Sequence, residues 1–143
     1  MTFNARSLTA GIVGGLAGGL MFGIMMTAMD MMGMVAGLAN SSSIAVGWVI
    51  HLVISAGFGI AFAVVLGALA TRTGRAAGLG AVYGMIAWVA GALVAMPLML
   101  GMPALQIGQT QFLSLIGHVI YGVVAGVVYQ RLAGAEEVAP SRA

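Results

Sequence analysis

The chain has 143 residues, of which 62% are hydrophobic and 6% charged, with five basic and three acidic side chains and a net charge of +2. A soluble domain carries about 25% charged residues, so this composition excludes a solvated globular surface. The absence of a basic stripe excludes a nucleic-acid face, and the absence of cysteine excludes disulfides and thiolate metal sites.

Four apolar stretches follow one another at residues 8–37, 44–70, 76–100 and 111–133. Each is long enough for a membrane-spanning helix, which needs roughly 20 apolar residues. The first is far longer than the core of a secretory signal, about 7 to 15 residues, and is read as a retained helix. Turn-like or polar strings separate the spans: NSSS at 40–43, TRTGR at 71–75, and a stretch at 101–110 with proline and glutamine. The expected fold is all-α, an integral membrane four-helix bundle. It forms one domain over residues 1–135, followed by a short polar cytoplasmic tail at 136–143.

Span 1 resolves at about 100° per residue into three faces. Gly15, Gly19, Gly23, Met26, Asp30, Gly33 and Gly37 form a seam of small residues suited to close helix approach. Gly11, Gly14, Gly18, Met21, Met25, Met29 and Met32 form its neighbour, and Leu16, Leu20, Ile24, Met31 and Leu38 point to lipid. In span 2, Ile44, Gly47, His51, Ser55, Gly59 and Phe62 share a face. In span 3, Gly80, Gly84, Trp88 and Gly91 are small or packing positions, and Pro97 is expected to kink or end the helix. In span 4, Gln111, Ser114, His118, Gly122, Gly126 and Tyr129 share a face. The two histidine faces are expected to point into the bundle.

His51 and His118 are the only histidines and lie 67 residues apart in similar surroundings. The same shift brings Ala10-Gly11 onto Ala77-Gly78, Ala28-Met29 onto Ala95-Met96, Met32 onto Met99 and Gly59 onto Gly126. This predicts two parallel two-helix repeats, residues 8–70 and 76–134, related by an axis along the membrane normal. Spans 2 and 4 would be equivalent, with both imidazoles at one depth about 10 Å inside the membrane at 1.5 Å per residue. Arg6, Arg72, Arg75, Arg131 and Arg142 flank the termini and the middle loop, while the other two loops carry no lysine or arginine. By the positive-inside rule both termini are cytoplasmic, as in a protein of the bacterial inner membrane.

Ionisable groups in lipid usually mark function. Two imidazoles facing each other across an axis suit the axial positions of a haem b. Imidazoles with thioethers suit Cu(I), with Met29, Met32, Met96 and Met99 as candidate ligands beside His51 and His118. Asp30 is the candidate proton group or hydrogen-bond partner of a histidine. The alternative is a structural or accessory subunit without a cofactor, whose histidines only hold helices together. A small proton- or metal-coupled transporter is a further reading. No nucleophile with its base and oxyanion device, and no phosphate loop, is present, so an enzyme is not expected. The expected partners are the lipid bilayer and, through the glycine seams, further copies or a larger membrane complex.

The strings NSSSIAVGWVIHLVISA, AMPLMLGMP and SLIGHVIYGVVAGVVY resemble those of a family of small, four-span, uncharacterised bacterial membrane proteins. The resemblance runs over about residues 8 to 133. It implies the four-span topology and brings no activity or site residue with it.

Overall fold

A computed structural model describes residues 4–134. The polar tail expected at 136–143, with Arg142, lies outside the described residues. The elements are α1 (Ala5–Ala28), α2 (Met32–Gly37), α3 (Ile44–Leu66), α4 (Thr73–Ala87), α5 (Met96–Met99) and α6 (Gln109–Ala133). A 3₁₀ turn (Gly67–Leu69) extends α3, and a π-helix (Trp88–Ala95) joins α4 to α5. The protein is all-helical over the described residues, and four helices are long and apolar enough to cross a membrane: Ala5–Ala28, Ile44–Leu69, Thr73–Met99 and Gln109–Ala133.

Helix α1 is the centre of the bundle. Its glycines face two partners at once. A methyl group built on Gly11 would stand 2.7 Å from the carbonyl oxygen of Gly59 on α3, and one on Gly15 would strike the Ser55 carbonyl. A methyl on Gly14 would stand 2.6 Å from the Ala125 carbonyl oxygen of α6, and one on Gly18 2.5 Å from that of Tyr121. Without side chains on these faces the backbones meet directly, which is how helices associate where lipid removes the hydrophobic drive. At the arginine-bearing end, Arg6 Nη2 and Nε donate to the Leu132 carbonyl at 2.9 and 3.2 Å, and the Ser7 and Tyr129 hydroxyls share a hydrogen bond of 2.9 Å. These contacts fasten the start of α1 to the end of α6 and occupy an otherwise orphaned helix-terminal carbonyl.

The α4–α6 interface uses the same device as α1–α3. Gly80 lies against the Gly122 carbonyl, Gly84 against that of His118, and Gly126 against that of Ala76. By contact, Gly11, Gly15 and Gly19 of α1 correspond to Ala76, Gly80 and Gly84 of α4, two residues short of the 67-residue shift that relates α3 to α6. The larger asymmetry lies between the pairs. α1 packs along α6 backbone to backbone, whereas the backbone of α3 stays away from those of α4 and α6 and reaches them through tyrosines, Tyr83 donating to the Phe58 carbonyl at 2.7 Å and Tyr121 to the Ser55 carbonyl at 2.8 Å. A twofold axis would have given α3 and α4 the contact that α1 and α6 make. The helix backbones are therefore farther apart on one side, and the two-repeat symmetry expected from the sequence is not what arranges them.

Span 1 also ends earlier than expected. Residue Asp30 has φ 56°, Met31 N–H donates to the Met26 carbonyl at 2.8 Å, and Asp30 N–H donates to that of Thr27 at 3.3 Å. This is a Schellman stop, with aspartate in the left-handed position that glycine usually takes. It recurs at Asn40 (φ 52°), with Ser41 donating to Ala36 and Asn40 to Gly37, and at Gly101 (φ 69°), with Met102 donating to Pro97 and Gly101 to Leu98. The first two stops isolate α2 and lay it on α3, where the Met32 carbonyl oxygen faces Gly47.

The proline acts as expected, with a wider effect. Pro97 has no N–H, so the Leu93 carbonyl loses the donor that an α-helix would supply. The segment before it is a π-helix, and the Leu93 oxygen accepts instead from Leu105 N–H at 2.8 Å. Leu105 adopts φ 59° to do so, a conformation that costs a non-glycine residue roughly 1–2 kcal/mol. A carbonyl left unsatisfied at membrane depth costs several kcal/mol, so the strained loop is the cheaper arrangement.

Two outcomes check this account. Gly80→Val should lower the unfolding temperature in detergent, overpacking of this kind costing about 1–3 kcal/mol or more, while Gly78→Val, where a side chain meets nothing within 4 Å, should change little. Equal effects would contradict the packing scheme. Pro97→Ala restores a donor for the Leu93 carbonyl, and hydrogen exchange of the Leu105 amide should then speed up.

Candidate functional site

The opening between α3 and the α4–π-helix side is a cavity of about 470 Å³. Its walls come from every long helix. α1 and α2 supply Phe22, Met26, Met31, Met34, Val35 and Leu38, and α3 supplies His51, Ile54, Ser55 and Phe58. The π-helix side supplies Ala87, Ala90, Gly91, Ala92 and Ala95, then Met96 and Met99, and α6 supplies Thr110, Gln111, Ser114, His118 and Tyr121. The wall of small residues makes the room, since the π-helix presents no large side chain between Ala90 and Gly91 or at Ala92 and Ala95. Trp88 stays beside it, its Nε1–H donating to the Gln111 carbonyl at 2.9 Å.

Both histidines line this cavity, and each is held by one backbone carbonyl. His51 Nε2 lies 2.8 Å from the Gly19 oxygen of α1. His118 Nδ1 lies 2.8 Å from the Ser114 oxygen one turn back on its own helix, with the Ser114 hydroxyl at 3.3 Å. A carbonyl oxygen only accepts, so His51 carries its proton on Nε2 and His118 on Nδ1. In the neutral rings the other nitrogens, His51 Nδ1 and His118 Nε2, then hold lone pairs, and neither makes a hydrogen bond among the described residues. An imidazole whose N–H is anchored on a carbonyl while its second nitrogen stays available is the usual arrangement behind a metal-ligating histidine.

Aromatic rings fix the imidazoles further. Phe22 of α1 stands edge-on to both, with centroids 5.6 Å from His51 and 4.7 Å from His118, and Trp48 stands at 6.1 Å and 88° to His51. Phe22 can reach both because Gly117 leaves its place on α6, where a methyl would collide with the phenyl ring. The rings therefore meet through a shared phenylalanine; the α3 and α6 backbones stand apart, bridged beside the site by the Tyr121 hydroxyl donating to the Ser55 carbonyl at 2.8 Å.

The candidate residues divide. His51, His118, Met96 and Met99 are brought to one cavity. Met32 is buried, 1% exposed, with its thioether against Gly47, and Met29 packs partly buried against the core; neither lines the cavity. Met26, Met31 and Met34 stand there instead. The cause is the stop at Asp30, which breaks the helical phase on which Met29 and Met32 were assigned to a shared face. Met31, expected to meet lipid, is 6% exposed. Asp30 is an exposed residue in the break, and its side chain makes no hydrogen bond or ion pair among the described residues, so it is not a partner of either imidazole. Ser55 was placed on the inward histidine face without a role, and Phe22 was missed as a lining residue. The signal for Ser55 was its place one turn after His51, and for Phe22 only its size in a run of glycines.

Among the described residues no group of three or more histidine, cysteine or acidic side chains gathers. The donors available are two imidazoles and the thioethers around them, a soft set suited to Cu(I) and poorly suited to hard divalent ions.

With the two lone pairs set at different nitrogens, ¹⁵N NMR of histidine-labelled protein should report opposite neutral tautomers, Nε2–H at His51 and Nδ1–H at His118. One tautomer for both would contradict the hydrogen bonds described.

Compared with known proteins, residues 5–139 match the model of a family of unknown function, DUF6789. No curated protein and no solved structure matches the chain.

Proposed function

The chain belongs to this family, and from the chemistry of its cavity we propose that it is a membrane protein that binds a soft metal ion, Cu(I), through His51 Nδ1 and His118 Nε2. The observation that carries the reading is the pair of imidazoles lining one cavity, each anchored on a carbonyl through one nitrogen and making no hydrogen bond with the other among the described residues. Thioethers of Met26, Met31, Met34, Met96 and Met99 on the same walls supply further soft donors. Haem b fits this lining less well. Its two axial ligands would have to be an Nδ1 and an Nε2, Phe22 stands against both rings, and no arginine or lysine among the described residues lines the cavity to meet the propionates.

Orientation belongs to the same proposal. Arg6, Arg72, Arg75 and Arg131 gather at one end of the bundle, where Arg6 and Arg131 are bonded to the last turn of α6 and to Thr73. With that end cytoplasmic, in a bacterial inner membrane, the cavity lies in the outer half. His51 is seven residues and His118 nine residues past the start of its helix, so about 10 and 14 Å deep at 1.5 Å per residue.

The test is titration of detergent-purified protein with Cu(I), without oxygen, against a chromophoric chelator. One ion should bind per chain. His51→Ala and His118→Ala should each weaken binding by at least about tenfold with unchanged helical content. Affinity untouched by both substitutions would reject the assignment, and a Soret band after haem supplementation, lost in the same variants, would replace copper by haem.

A further inference from the structure

A cavity of about 470 Å³ is far larger than a metal ion requires. It has the size in which organic ligands sit, about 300–1,000 Å³. Its position decides what can reach it. The backbones of α3 and α4, successive spans, come close at few points; the Tyr83 hydroxyl bridges them by donating to the Phe58 carbonyl at 2.7 Å, and outward of that bridge, where Ile54 is 41% exposed, the gap opens sideways. The sides of the gap are apolar. Ile54 and Phe58 stand on α3, and Ala90, Gly91 and Ala95 on the π-helix.

Water is a poor tenant for this part of the cavity. An ordered water needs two to four polar partners, and these five residues offer none from their side chains. Emptiness is no better, because a void strips the lining of its dispersion contacts. The one apolar molecule always at hand beside a lateral opening in a membrane is the lipid itself. We propose that an acyl chain of a bilayer phospholipid lies in this gap, between Ile54 and Phe58 on one side and the small-residue wall of the π-helix on the other. The inference stands on the cavity alone and goes beyond the metal reading, because the imidazoles hold the ion and the π-helix wall holds the chain.

The π-helix gives the site its specificity for a chain. Ala90, Gly91 and Ala95 leave a smooth surface, and a Cβ added at Gly91 meets nothing within 4 Å. A larger residue at that position grows into the gap without striking the backbone of a neighbour.

The experiment reconstitutes the full chain in phosphatidylethanolamine–phosphatidylglycerol vesicles, extracts it in mild detergent and weighs it by native mass spectrometry. Wild-type protein should retain one phospholipid. Gly91→Leu should reduce the retained fraction roughly tenfold while Cu(I) titration of the same variant stays at the wild-type value. Ala95→Leu is the second filling variant, used with circular dichroism in case the first does not fold. His118→Ala should keep the lipid whatever happens to the metal. A wild-type protein with no bound phospholipid, an adduct of another mass, or equal retention by both folded filling variants would overturn the proposal. Loss of Cu(I) binding together with the lipid in Gly91→Leu would overturn the division of the cavity between chain and ion.

Discussion

Everything in this bundle depends on α1 having no side chain on two of its faces. Gly11 and Gly15 bring its backbone against α3, and Gly14 and Gly18 bring it against α6. In lipid there is little hydrophobic gain from pairing helices, so close backbone contact has to supply the association. A helix held that tightly on two sides fixes the separation of its partners. α3 and α6 lie on different flanks of α1, and α4 follows α6 through its own glycine seam at Gly80 and Gly84. The wide side between α3 and α4, crossed by the hydrogen bond from Tyr83 to the Phe58 carbonyl, is what remains once those contacts are made. The cavity is thus a consequence of where glycine is used and where it is not.

The carbonyl that orients His51 comes from the same source. Gly19 leaves its carbonyl open to a side chain from α3, because no Cβ keeps Ser55 and His51 at a distance. Phe22 reaches both imidazoles because Gly117 gives way to it on α6. Packing and chemistry are here one design: the glycines that let the helices touch also expose the acceptor and the space that set the histidine rings.

The sequence made much of this legible, for physical reasons that can be named. Length and hydropathy mark four spans because lipid tolerates so few other solutions, and the family match over residues 5–139 agrees with the extent of the resemblance. Helical periodicity put Ile44, Gly47, His51, Ser55, Gly59 and Phe62 on one face, and all but Ile44 at the start of the helix are buried. It failed at residue 30. Asp in a left-handed stop looks in sequence like any polar residue on a helix face, and continuing the period through it pointed Met31 to lipid, whereas Met31 and Met34 line the cavity and Met29 and Met32, chosen by depth and by the repeat, do not. The duplicated histidine was visible as well. Its asymmetry was not, since nothing local in α3 or α4 says that those two helices stand apart.

That asymmetry bears on the metal site proposed above. A sequence repeat suggests two equivalent ligands, yet the first helix of each pair enters its contact at a different offset, and the consequence is chemical. At His51 the neighbouring helix offers a carbonyl to Nε2, so Nδ1 is left over. At His118 the equivalent glycine, Gly84, sits against the backbone carbonyl of His118 itself, and the ring turns back to its own Ser114, leaving Nε2. The lone pairs therefore extend to unequal lengths from their helices, one close to the Cβ and one at the far edge of the ring. Such a pair is ill-matched to two faces of a flat macrocycle. A small ion, which can sit nearer one helix than the other and take its remaining donors from mobile thioethers, makes no demand for symmetry.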